Sequence, residues 1–92
     1  MPNVFSFGQY WVYFWSNESN EPVHVHVSVK RPSKLSAKFW LKEDGTVELA
    51  NNHAGFSKHE IKAIAEFIEA NWQMIVDRWL GYFAEENAKF YD

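Results

Sequence analysis

The chain has 92 residues, a formal net charge of −3 and no cysteine. That length leaves too little interior for two cores. The charge argues against general nucleic-acid binding by phosphate neutralisation, and the missing thiols exclude a disulfide scaffold, a cysteine nucleophile and a Cys-based zinc site. Hydrophobic residues make up 47% and aromatic residues 18%, which argues for one packed domain rather than disorder.

MPNVFSFGQY lacks a basic patch followed by an apolar stretch and so reads as no signal peptide. No apolar run is long enough to span a bilayer. A cytoplasmic protein is the expectation.

In chain order, Val4–Phe7 predicts a short strand closed by Gly8. Tyr10–Trp15 is a run of aromatic and β-branched residues and predicts a second strand. The polar stretch Ser16–Pro22 is a loop. Val23–Lys30 alternates, with four valines on one face and His24, His26, Ser28 and Lys30 on the other, as a half-buried strand does. Arg31–Lys34 turns the chain. Leu35–Lys42 alternates again, with Ser36, Lys38, Trp40 and Lys42 on the polar side. Glu43-Asp-Gly45 signals a hairpin into a last strand, Thr46–Ala50, and Asn51–Gly55 loops out.

The period then changes. Ser57-Lys-His-Glu60 has the form of a capping box, with Phe56 as the staple residue before it. Ile61, Ile64, Ala65, Ile68, Trp72, Ile75, Val76, Trp79 and Phe83 follow helical spacing. The stripe stays in phase past Asn71, so one long helix and two helices broken at Ala70-Asn71 both fit, and Gly81 weakens the end. The expected fold is α+β: an antiparallel sheet of four to five strands under one or two C-terminal helices, in two layers.

The chemistry concentrates on the polar sheet face. His24 and His26 at i and i+2 point the same way and suit zinc, nickel or copper. A third ligand is sought among His53, His59, Glu18 and Glu21. The same pair suits general acid–base chemistry on a phosphodiester, with Lys38 or Lys30 steadying the developing charge. The competing reading is structural, polar strand residues bonded to their neighbours, and residue pattern alone favours it. Trp11, Tyr13, Trp15 and Trp40 beside Lys30 and Lys38 form an aromatic–basic binding face. Such a face suits single-stranded nucleic acid or a protein contact, and the acidic total favours a protein partner or a homodimer. Phe67 and Met74 lie off the helical stripe on one line, either capping a local cluster or meeting a partner chain. No phosphate loop, nucleophile elbow, metalloprotease motif or helix-turn-helix pattern is present.

Several segments together carry a resemblance: Met1-Pro2, Tyr13-Phe-Trp15, Glu21-Pro-Val-His24-Val-His26-Val, Ala37-Lys-Phe-Trp-Leu41, Val47-Glu-Leu49, Gly55-Phe-Ser-Lys58, and the helix ending near Trp79 and Phe83. In that order the chain resembles, over nearly its whole length, the bacterial family catalogued as domain of unknown function 4160. The family's most specific motif reads Asn-Pro-Pro-His-x-His. Here Pro22, His24 and His26 match, while Glu21 and Val23 replace Asn and the second Pro. The resemblance implies a short prokaryotic cytoplasmic protein, often encoded beside a member of a second uncharacterised family in a toxin–antitoxin-like pair. It implies a protein partner and a functional His pair, and it supplies no reaction.

Overall fold

The computed structural model describes residues 3–15, 21–84 and 89–91. Met1-Pro2 and residues 16–20 of the predicted first loop, Glu18 among them, lie outside the described residues. Five strands, β1 (Asn3–Phe7), β2 (Tyr10–Tyr13), β3 (His24–Val29), β4 (Ala37–Leu41) and β5 (Val47–Asn52), precede two helices, α1 (Lys58–Ala70) and α2 (Trp72–Phe83). The strands form one antiparallel sheet in the order β1-β2-β3-β4-β5. In such a meander each strand pairs with the next, and Gly8 and Gly45, both at positive φ, sit in the β1–β2 and β4–β5 turns.

The two-period pattern sorts the residues as the packing demands. Val12, Phe14, Val25, Val27, Ala37, Phe39 and Leu41 join Ile64 and Ile68 of α1 and Ile75, Val76 and Trp79 of α2 in one core. Full burial of each large apolar side chain contributes roughly 1.5–3 kcal/mol. Trp79 is the largest fully buried side chain, with Phe14 at 5.1 Å, Phe83 at 4.6 Å and His24 at 5.2 Å between ring centroids.

The capping box forms in full: Glu60 N donates to Ser57 Oγ at 3.1 Å, and Ser57 N donates to Glu60 Oε1 at 3.1 Å. Glu60 also accepts from the Tyr10 hydroxyl at 2.9 Å, tying the helix start to β2. The helical stretch is two helices. Asn71 ends the first and begins the second, and its Nδ2 donates to the Phe67 carbonyl at 2.9 Å. Trp72 Nε1 donates to the Lys42 carbonyl at 2.9 Å, anchoring α2 to the β4–β5 hairpin. Gly81 is carried inside α2, which runs to Phe83 and ends on a left-handed Ala84.

Phe67 stacks on Phe7 at 3.8 Å and meets Phe5 at 5.4 Å, so its ring is covered by the chain's own first strand. Met74 packs half-buried against the core. The segment 89–91 returns to the sheet: Val23 N donates to the Lys89 carbonyl at 2.8 Å, Phe90 stacks on Trp72, and Tyr91 stacks on Trp40 at 4.9 Å and 4°.

Replacing Ser57 by Ala should lower unfolding free energy by about 1 kcal/mol, and Trp79→Ala by about 3–5 kcal/mol, both read by urea denaturation. The Glu60 carboxyl is held below the ordinary glutamate range, first by the Ser57 backbone N–H and then by the Tyr10 hydroxyl. Its folded pKa is depressed, so its stabilisation is present above the ordinary value and is lost as pH falls through the depressed one. Denaturation midpoints measured across that acid range should fall less steeply in Glu60→Gln than in the wild type.

Candidate functional site

The sheet has a second face, opposite the helices, and it is far from solvated. Registers across it place Tyr13 opposite His26, His26 opposite Lys38, and Lys38 opposite Asn51, one transverse row over four strands. A second row places His24 opposite Trp40 and Trp40 opposite Glu48. Tyr13, His24 and Ser28 are buried, and His26 is 9% exposed.

Burying polar side chains requires partners for them, and each element supplies some. The Tyr13 hydroxyl donates to the Ser33 carbonyl at 2.9 Å and accepts from the Ser33 N–H at 3.1 Å, so the β3–β4 connection is clamped onto this face. Ser28 Oγ donates to the Arg31 carbonyl at 2.6 Å, and the Lys30 N–H to the Gln9 carbonyl at 2.7 Å. Lys30 itself adopts φ 68, a left-handed conformation that costs a non-glycine residue energy and is held by these bonds.

The two histidines of the i, i+2 pair have different surroundings. His24 Nδ1 lies 2.8 Å from the Pro22 carbonyl, which can only accept, so Nδ1 carries the proton. Its ring is fully buried and meets His26, Trp40 and Trp79 edge-on at 5.2–5.4 Å. His26 instead stacks on Tyr13 at 5.7 Å and lines an open cleft of about 440 Å³. The other lining residues are Trp15, Ser33, Lys34, Ser36, Asn51 and His53.

The remaining expected site residues fall in varied places. Lys38 is committed elsewhere: its Nζ bonds Glu21 Oε1 at 2.9 Å and lies 4.2 Å over the Trp40 ring. Trp40 is sandwiched between that ammonium and Tyr91. Trp11 is half-buried opposite Ser28, Trp15 packs edge-on against Tyr13 at 5.3 Å, and Lys30 is exposed. Of the metal ligands considered, Glu21 is paired to Lys38, His59 is exposed on α1, and Glu18 is outside the described residues. Among the described residues, no three His, Asp or Glu side chains gather as a metal site.

Asn51 and His53 join Ser33, Lys34 and Ser36 at the cleft by a route the residue pattern hides. The strand continues two residues past Ala50. A register shift between Phe39↔Leu49 and Lys38↔Asn51 leaves Ala50 as the extra residue and turns Asn51 onto the His26 face. His53 follows, its N–H on the Ser36 carbonyl at 3.1 Å. The i, i+2 spacing of Asn51 and His53 was the available signal, but the bulge that sets its face has no sequence marker here.

A five-stranded meander under two helices, with a His-lined cleft on the face away from them, makes up a compact α+β fold. The chain belongs to the family domain of unknown function (DUF4160), which it matches over residues 10–80. No curated protein and no solved structure is significantly similar to it.

Tyr13→Phe removes the clamp and leaves the Ser33 backbone groups without that partner. It should destabilise the fold by roughly 1–3 kcal/mol. It should also speed amide exchange of residues 33–35 more than that of β4, as followed by hydrogen–deuterium exchange.

Proposed function

We propose that the protein is a cytoplasmic bacterial recognition component of a two-gene, toxin–antitoxin-like module, working by contact with another protein. The two-gene setting comes from the family resemblance. The observation that supports the contact is the β3–β4 connection. It displays Lys30, Arg31 and Lys34 beside Leu35, which is 69% exposed, the highest value among the large exposed hydrophobics.

The backbone of this loop is held by Tyr13, Ser28, Gln9 and the Ser33 hydroxyl, which accepts from the Leu35 N–H at 2.9 Å. A preorganised loop loses little entropy on binding. Three cations around one apolar anchor fit an acidic segment carrying a hydrophobic residue, and such pairing favours fast, salt-sensitive association. Other apolar side chains that the residue pattern offered for this role are engaged within the chain: Phe67 by Phe7, Met74 by the core, and Trp40 by Tyr91.

The test is co-expression with the product of the neighbouring gene. The wild type should co-elute with it in low salt and release it as salt is raised. The combined variant Lys30→Glu, Arg31→Glu, Leu35→Asp should fail to co-elute while keeping its own melting temperature. A monomeric wild type that never retains the neighbouring product would overturn the reading, and self-association through this loop would replace it with a homodimer.

A further inference from the structure

Apart from Lys34, which borders both surfaces, the cleft takes no part in that contact, and it carries its own chemistry. It brings together two imidazoles from distant positions, His26 and His53, with an aromatic wall (Trp15), a cation (Lys34) and three small polar side chains (Ser33, Ser36, Asn51). We propose that it is a single-ribonucleotide site at which His26 and His53 cleave single-stranded RNA by transesterification. The inference is independent of the partner reading.

Its size, about 440 Å³, is at the lower end of ligand pockets and suits one nucleotide rather than a duplex. Trp15 offers a ring face for stacking an unpaired base, and the Asn51 amide and serine hydroxyls offer donors and acceptors for a base edge or a 2′-hydroxyl. Lys34, on the clamped loop, brings positive charge to the phosphate.

The step balances without metal or co-reactant. A neutral imidazole takes the 2′-hydroxyl proton, the 2′-oxygen bonds to phosphorus, and the P–O5′ bond breaks. The second imidazole, protonated, gives its proton to the departing 5′-oxygen. The products are a 2′,3′-cyclic phosphate and a 5′-hydroxyl. Imidazole suits both roles because its ordinary pKa lies near neutrality. Histidine 24 takes no part: its ring is fully buried, with Nδ1 committed to the Pro22 carbonyl. Lys38 is likewise held by Glu21.

The experiment incubates the purified full chain, in EDTA, with the complete set of dinucleoside monophosphates and with short single-stranded RNA. Products are read by mass spectrometry. Cyclic-phosphate termini are expected, with none from analogues lacking the 2′-hydroxyl at the scissile position. His53 is exposed, so His53→Ala should keep the wild-type melting curve and lower the rate about 100-fold or more. His26→Ala should do the same where it folds, and Lys34→Ala should weaken the reaction less. Absence of cyclic phosphate from every substrate overturns the proposal, even if RNA binds. So does activity that survives His53→Ala, which would mark a contaminating nuclease, or activity abolished by EDTA.

Discussion

The central strand β3 is buried on both faces, and its two faces have opposite chemistry. Below, Val25 and Val27 need only apolar neighbours, which α1 and α2 provide. Above, His24, His26 and Ser28 are polar, and burying such groups costs free energy unless hydrogen bonds replace those to water. Much of the rest of the structure meets that demand. The Pro22 carbonyl faces His24, the Arg31 carbonyl accepts from Ser28, and Tyr13 stacks on His26 while its hydroxyl holds the loop that roofs this side.

The aromatic richness of the chain follows from the same constraint. Two helices cover one face of the five-stranded sheet, and among the described residues no further helix or strand covers the other. Large rings cover area economically. Trp40, Tyr91 and the Lys38 stem close one end of the outer face, with Glu21 holding the ammonium at its edge. Trp79 serves both layers by touching Phe14 and His24. The cleft is left at the opposite end of the His pair, where Trp15, the clamped loop and the end of β5 meet.

The family motif separates by the same logic. Two histidines two residues apart look equivalent on a strand, but they occupy different rows of the sheet. The row of His24 runs to Trp40, and its buried ring also meets Trp79 edge-on. The row of His26 runs through Lys38 to Asn51, so that ring borders the cleft. The other imidazole that lines the cleft, His53, lies 27 positions further along the chain, just past β5.

The sequence by itself determined the element types and their order. Period-two alternation in Val23–Lys30 and Leu35–Lys42, the Asp-Gly turn and the Ser57–Glu60 box are local signals, and local hydrogen bonding and side-chain direction carry them directly. They also placed His24, His26, Lys38 and Trp40 on one face. Tertiary structure alone decided the break at Asn71, because an in-phase apolar stripe fits one helix or two. It decided the bulge in β5, which reverses side-chain facing without altering composition. It also decided that residues 89–91 return to stack on Trp40 and Trp72, since contacts between distant segments depend on how the sheet ends are filled. The cleft depends on the second of these, the β5 bulge that turns Asn51 toward it. Its walls come from four separate segments, and only their packing makes them neighbours.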